Sequence, residues 1–182
     1  MYFSEKGKIN TEKCVELAIK TAGDRKIKHI IVASNSGNTA KLFKELKDIN
    51  VVCVTHAYGF AEPGKNEISD ELLEELKREG IKVLSTTHVL SGAERGISKK
   101  FGGVNPVEIM AYTLRMLGQG TKVCVEIAVM ALDAGLIPYG EEVIAVAGSG
   151  KGADTAVIIR PAHANNILDT KINEIVCKPR NF

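Results

Sequence analysis

One short loop, Ser34-Asn35-Ser36-Gly37-Asn38-Thr39, has the residue types best suited to bind an anion. It follows the apolar run 30–33 and precedes a helical pattern that begins at Ala40. The first amide groups of a helix lack partners within the helix and lie at the positive end of its dipole, so they attract phosphate. Hydroxyl and amide side chains would add hydrogen bonds, and Gly37 can adopt backbone angles closed to other residues. The pattern predicts a phosphate-binding loop between a strand and a helix, with a well-capped helix start as the structural alternative.

A second glycine-rich loop follows a later apolar run and consists of Gly148, Ser149, Gly150, Lys151, Gly152, Ala153, Asp154 and Thr155. It is not a Walker A loop, because Lys151 is followed by glycine instead of Ser or Thr. It is not a dinucleotide fingerprint either, because a strand follows it, so a tight turn is the alternative interpretation. In open α/β sheets, ligands bind beyond the carboxyl ends of the strands where the strand order reverses. We expect both loops to face one such crevice, where Lys151 would supply a charge and Thr155 a hydroxyl.

Two further loops at the same predicted edge carry polar residues, Thr55-His56 and Thr86-Thr87-His88. His56 and His88 have the chemistry of acid–base groups, but with no nucleophile in sight, polar residues lining a pocket are the alternative. The aromatic residues Tyr58, Phe60 and Phe101 could stack on a flat ring or pack within the protein.

The order of the elements predicts a parallel sheet. Apolar and β-branched runs predict strands at 29–33, 51–55, 81–85, 142–147 and 155–159, with a last strand at 175–178. Helical patterns lie at about 11–23, 40–46, 69–80, 106–117 and 121–134. Because no helix separates the fourth and fifth strands, the fifth is expected to be antiparallel. Numbered by appearance, the strands should lie in the order 3-2-1-4-5.

Two segments stand out from this regular alternation. Residues 86–105 form a connection of about 20 residues, which is long for a compact domain and is often functional; a short helix fits within it. The helix over 121–134 is apolar almost all round except for a polar stripe, Lys122, Glu126 and Asp133, which we assign to its solvent edge. Such an apolar helix could also contribute to a contact in a homo-oligomer.

The composition is that of an ordinary globular protein, with 182 residues, 45% hydrophobic and 25% charged. We expect a single domain over 1–182 with an insertion at about 86–105. The net charge of +2 gives no sign of nucleic-acid binding. No apolar run reaches the roughly 20 residues of a membrane span and no signal peptide precedes the first helix, so we expect a cytoplasmic protein without a membrane partner. The four cysteines lie far apart and are expected to be reduced and buried, and the four histidines show no metal-ligand spacing.

The first loop resembles those of two phosphate-binding families. Flavodoxins place a Ser/Thr-x-Thr-Gly-Asn-Thr loop around the phosphate of flavin mononucleotide, FMN, and residues 34–39 are similar. In flavodoxins this loop follows the first strand, whereas here a helix precedes the strand and no Trp is present to flank a flavin. Sugar-phosphate isomerase domains use a Ser-x-Ser-Gly-x-Thr loop, which also matches.

A longer resemblance runs from about 29 to 161 and is to the C-terminal domain of pyruvate kinase. It rests on Ser36-Gly37-Asn38-Thr39-Ala40, on an apolar strand ending in Val54-Thr55, on the turn Gly135-Leu136, on Gly148-Ser149-Gly150 and on the strand after it. In regulated pyruvate kinases these loops hold an allosteric sugar bisphosphate. The sequence lacks the catalytic barrel, so pyruvate kinase activity is not expected. It most closely resembles stand-alone, archaeal-type proteins of this superfamily, for which residues 90–103 look like a hallmark insertion and FMN is the ligand implied.

These observations predict a three-layer α/β/α fold with a mostly parallel sheet of order 3-2-1-4-5, strand 5 being antiparallel. The crevice is expected to bind a phosphorylated small molecule, with FMN as cofactor, its phosphate on residues 34–39 and the loop 148–155 closing over it. The insertion at 86–105 would form a wall or lid. A non-catalytic sensor of phosphorylated sugars is one alternative, and an enzyme acting on a sugar phosphate with His56 or His88 as base is another.

Overall fold

A seven-stranded mixed sheet forms the centre of the protein. The computed structural model describes all 182 residues. The strands are β1 (Tyr2–Phe3), β2 (His29–Ala33), β3 (Asn50–Val54), β4 (Lys82–Leu84), β5 (Val143–Ala147), β6 (Thr155–Arg160) and β7 (Lys171–Pro179). Their order across the sheet is β1-β7-β6-β5-β2-β3-β4.

The pairing of these strands confirms the predicted order. β2 lies parallel to β3 on one side and to β5 on the other, and β4 continues the parallel part beyond β3. β6 is antiparallel to β5, as expected for two strands joined by a short loop. The predicted strands one to five are therefore β2 to β6. The predicted last strand is β7, which begins earlier than expected, at Lys171, and the short β1 adds an edge strand beside it.

Helices cover both faces of the sheet, which confirms the three-layer α/β/α prediction. They are α1 (Thr11–Arg25), α2 (Asp70–Arg78), α3 (Gly92–Phe101), α4 (Pro106–Arg115) and α5 (Gln119–Asp133). Alternate residues of each strand enter opposite cores: Ile30 and Val32 pack with α1 and α2, whereas Ile31 packs with α4 and α5. The predicted terminal signals hold, since the Ser69 side chain caps α2 and Pro106 opens α4. α3 is the short helix anticipated within residues 86–105.

The helix predicted from Ala40 to Leu46 is wrong. A four-residue 3-10 helix, Ala40–Phe43, follows the loop instead. The 3-10 turn places Ala40 and Phe43, three residues apart, on one buried side.

The placement of the polar stripe at a solvent edge is wrong for two of its three residues. Lys122 and Glu126 are buried, with 5% and 4% of their surface exposed, while Asp133 is exposed as predicted. The two buried residues lie one helical turn apart and pair with each other. Their mutual neutralisation explains how charged side chains can occupy an otherwise apolar helix.

All four cysteines are buried and none is in a disulfide, as expected. They behave as small apolar residues that contribute to the two cores. None of the helices combines the length and the apolar character that crossing a membrane would need.

Candidate functional site

The predicted site residues lie at one edge of the sheet. β2, β3, β4 and β5 are parallel, so the loops that leave Ala33, Val54, Leu84 and Ala147 all emerge at their shared carboxyl edge. β6 runs the other way and begins at this edge with Thr155. Because β2 and β5 are neighbours, the loops 34–39 and 148–154 start side by side. The sheet's order reverses between these two strands, where open α/β sheets bind ligands.

The loop 34–39 is organised by its first residue. The Ser34 hydroxyl is buried and accepts hydrogen bonds from the backbone N–H of Thr39 at 3.1 Å and of Ala40 at 3.4 Å. Gly37 has a φ of 79°, and a Cβ added there would lie 2.8 Å from Leu72, so the tight turn requires glycine. Ser36 and Asn38 are exposed and hydrogen-bonded to each other, and Thr39 is buried.

The loop 148–154 packs against the start of the chain. The buried carboxylate of Asp154 accepts hydrogen bonds from the backbone N–H groups of Gly7 and Ser149 and from the Thr155 hydroxyl. The Thr11 hydroxyl accepts a further one from the N–H of Ala153 at 3.0 Å. Asp154 thus ties the N-terminal segment to the glycine-rich loop, a structural role that the sequence pattern did not indicate.

Replacing Asp154 should loosen this attachment. Asp154→Ala leaves two amide donors and one hydroxyl without their acceptor, and we expect a loss of about 2 kcal/mol in the free energy of unfolding, measured by urea denaturation. Asp154→Asn is the matched control, because its amide oxygen can still accept both N–H bonds, and it should cost less than about 1 kcal/mol. Equal losses in the two variants would contradict this assignment.

Next to the first loop, a cleft opens between the ends of β2 and β3 and the helices α3, α4 and α5. Its enclosed volume is about 130 Å³, and it widens to open solvent at its mouth. Of the predicted residues, Asn35, Thr55 and His56 line it, and no residue of 148–155 does. His88, Ser91 and Arg95 from the 86–105 insertion form part of its wall, and the other polar lining residues are Arg115, Gln119, Lys122 and Glu126.

Aromatic rings gather at one side of this cleft. The His56 ring stacks on Phe60 with centroids 3.7 Å apart, and the His88 ring lies 5.3 Å from that of His56. The Nδ1 atom of His56 is hydrogen-bonded to the Glu67 carboxylate. Burial lowers the pKa of His88 below its ordinary value, although Glu126 acts in the opposite direction, and His56 and Lys122 lower it further. The lowered pKa favours the neutral form of His88, whose ring can accept a proton.

The remaining predicted residues take other positions. The Thr55 hydroxyl lies 2.6 Å from that of Ser85, and Asn66 donates to Ser85 at 3.0 Å, which joins the ends of β3 and β4. Thr86 and Thr87 are exposed and line a second hollow with Asp133, which adjoins the cleft at Met130. Lys151 is exposed at the tip of its loop.

A buried ion pair lies in the wall of the cleft. Lys122 Nζ donates to Glu126 Oε2 at 2.6 Å, and Glu126 Oε1 accepts from the backbone N–H of Leu90 at 3.1 Å. The pair therefore connects α5 to the start of the insertion. Burial lowers the pKa of Lys122, and the charge of Glu126 opposes that shift.

Several cleft residues were not identified as site residues from the sequence. A Lys and a Glu four residues apart in an otherwise apolar helix are a usable signal of a buried pair, because a lone charge would not be tolerated there. Arg95 and Arg115 gave no such signal, since basic residues are ordinary on exposed helices and near helix C-termini. Only the packing of α3 and α4 beside α5 brings them to the cleft.

Comparison with known proteins places this geometry in context. Residues 12–159 match the family described as pyruvate kinase, alpha/beta domain. A solved pyruvate kinase from Cryptosporidium parvum shares 20% identity over 82% of this chain and 22% of its own, with a TM-score of 0.44. The structure of Cryptosporidium parvum pyruvate kinase in complex with ADP shares 20% identity over 81% of this chain and 22% of its own, with a TM-score of 0.41. The chain thus spans less than a quarter of the length of these enzymes.

Proposed function

Because this chain belongs to the pyruvate kinase alpha/beta domain family, we propose that it binds a phosphorylated small molecule at the carboxyl edge of its sheet, with FMN as the first candidate. One observation carries the proposal: two loops with free backbone donors leave neighbouring parallel strands, and the first of them borders an aromatic-lined cleft. Sites of this kind use backbone N–H groups to hold phosphate without a dedicated lysine.

Free hydrogen-bond donors in both loops support the phosphate end of the site. The N–H groups of Asn35, Ser36 and Asn38 donate to no acceptor within the chain, and neither do those of residues 150–152. The Ser149 hydroxyl is buried and has no hydrogen-bond partner, which is unusual for a buried polar atom and suits an absent oxygen ligand. Since the helix after residue 39 is only a short 3-10 turn, these local donors, not a helix dipole, would hold the phosphate.

The neighbouring cleft suits the flat ring of a flavin. Phe60 and His56 are already stacked there, and a further aromatic ring can pack on or beside them. The residues at hand therefore fit FMN: the loops 34–39 and 148–152 would hold its phosphate, and the cleft would hold its ring. When bound, FMN supplies electron or hydride transfer, while the protein orients it and excludes water.

A spectral titration tests this proposal. FMN added to the purified protein should show shifted absorbance bands, quenched or altered fluorescence and saturable binding. In the double variant Ser36→Ala/Thr39→Ala we expect the FMN affinity to fall about tenfold or more, because hydrogen bonds to a charged phosphate are lost. Thr113→Ala removes a hydroxyl on α4 that bonds within its own helix, and it should leave the affinity unchanged.

Riboflavin, which lacks the phosphate, is the matched control ligand. If riboflavin binds as tightly as FMN, or if the double variant retains full affinity, the loops do not hold a phosphate. If sugar phosphates stabilise the protein and FMN does not, a sugar phosphate, not FMN, is the ligand of this site. The His56–Glu67 pair beside His88, with its lowered pKa, favours that second candidate as an enzyme, because a histidine oriented by a carboxylate is suited to proton transfer.

A further inference from the structure

Three cationic side chains reach the same cleft from three helices. Arg95 comes from α3, Arg115 from α4 and Lys122 from α5. Glu126 is the only carboxylate among the lining residues, and its two oxygens are already engaged by Lys122 and by the backbone of Leu90. The lining side chains of the three helices therefore carry three positive charges and one negative charge, and outside the lining the charge of Arg95 also acts on the carboxylate of Glu108.

Neither guanidinium group has a carboxylate partner. No acidic oxygen lies within 4.0 Å of Arg95 or Arg115. The Nε of Arg115 donates to the neutral amide oxygen of Gln119 at 2.7 Å, which orients the group and leaves its two terminal nitrogens free. The Arg95 guanidinium donates to no atom of the chain. An arginine in this state presents a planar pair of donors that matches the oxygens of a phosphate or a carboxylate.

Lys122 provides a third, buried set of donors. Its ammonium group has three N–H bonds, of which one is used by Glu126, and no other acceptor in the chain approaches it. The positive charges of Arg115 and Arg95 both act on Lys122 and add to the lowering of its pKa by burial, so each arginine lies within electrostatic reach of Lys122. Holding like charges together is unfavourable, and an anion bound between them would relieve that repulsion.

We propose that Arg95, Arg115 and Lys122 form a second oxyanion subsite, which takes the phosphate or carboxylate group of a small molecule. This subsite goes beyond the proposed function, because FMN carries one phosphate and the loops 34–39 and 148–152 would hold it. A second anionic molecule, bound beside the first ligand, is then the occupant of this end of the cleft. The insertion at 86–105 supplies Arg95 and the backbone N–H of Leu90, which holds Glu126 in place. It therefore forms part of the subsite as well as part of the cleft wall.

Binding of inorganic phosphate tests the subsite directly. The experiment uses the full chain carrying Ser36→Ala/Thr39→Ala, so that phosphate binding at the loops is weakened, and measures affinity by calorimetry at low ionic strength. Adding Arg95→Ala or Arg115→Ala should weaken phosphate binding about tenfold or more. Lys99→Ala removes an exposed cation from α3 that does not line the cleft, and it should change the affinity less than twofold.

A conservative variant and a second anion complete this test. In the same background, Arg115→Lys keeps the charge and should fold normally, yet it loses the forked donor geometry, so its phosphate affinity should lie between those of the background protein and its Arg115→Ala variant. Acetate is the parallel probe. If acetate binds more tightly than phosphate, the subsite takes carboxylates; if phosphate binds more tightly, it takes phosphates. Unchanged phosphate affinity in both alanine variants, or an equal loss in Lys99→Ala, would overturn the proposal. Arginine-dependent phosphate binding in a protein that fails to bind FMN would overturn the proposed flavin and leave the subsite intact.

Discussion

Gly120→Ala is expected to destabilise this protein strongly, although it adds a single methyl group. A Cβ at residue 120 would lie 2.1 Å from the Thr155 hydroxyl oxygen, 2.5 Å from the Thr155 Cβ and 3.1 Å from the Asp154 carboxylate. Both neighbours are buried, and the Thr155 Cβ cannot move without β6, so α5 must shift away from the sheet. We expect a loss of at least about 3 kcal/mol in the free energy of unfolding, measured by urea denaturation.

The chain offers a matched control for this substitution. Gly23 lies within α1, has no atom within 4 Å of an added Cβ and has an ordinary helical backbone. Gly23→Ala should therefore stabilise the protein by roughly 0.5–1 kcal/mol, because alanine favours helix. In a Thr155→Gly background the cost of Gly120→Ala should shrink, since the atoms that collide have been removed. An undiminished cost there would contradict the collision.

Breaking the buried pair Lys122–Glu126 should reduce stability by about as much as Gly120→Ala. Glu126→Gln preserves shape and the acceptor for the Leu90 N–H, but it leaves the Lys122 charge buried without a partner. We expect the free energy of unfolding, measured by urea denaturation, to fall by about 3–5 kcal/mol. The double variant Lys122→Met/Glu126→Gln buries no charge and keeps the Leu90 bond, so it should lie within about 1 kcal/mol of the wild type.

An exposed pair at the same spacing shows how much of this effect comes from burial. Lys20 and Asp24 are also four residues apart in a helix, at 3.2 Å, but most of each side chain is in solvent. Asp24→Asn should cost at most about 0.5 kcal/mol. Similar losses at the two pairs would show that burial does not decide their energetics.

The pH dependence of Glu126→Gln gives a second readout. The pKa of Lys122 is already below its ordinary value of 10.5 because of burial, and removing Glu126 removes the charge that opposes the shift. Between the lowered pKa and 10.5 the unfolded chain binds more protons than the folded protein, so stability rises with pH in this window. The variant should therefore recover part of its lost stability on titration towards pH 10, and more than the wild type gains.

Local patterns were sufficient to predict most of the architecture. Runs such as 51–54 and 143–147 are apolar at every position because both faces of the strand are covered, and that property is visible in the residues themselves. The short link between β5 and β6 allowed only an antiparallel pair, and the alternation of strands and helices implied parallel pairs elsewhere. The order of five strands, the α3 helix within the insertion and the family resemblance all followed from such information.

The sequence by itself also located the carboxyl-edge loops, because neighbouring parallel strands all end at the same edge of the sheet and the loops that follow them lie together there. Only the tertiary structure decided what those loops contact: Asp154 joins one of them to the N-terminal segment, and Asn35 places the other beside the cleft. It also decided that Lys122 and Glu126 are buried, that a 3-10 turn replaces the helix after Thr39, and that Arg95 and Arg115 converge. The physical reason is the same in each case. The environment of a side chain is set by elements distant in sequence, whereas helix and strand patterns report only on neighbouring residues.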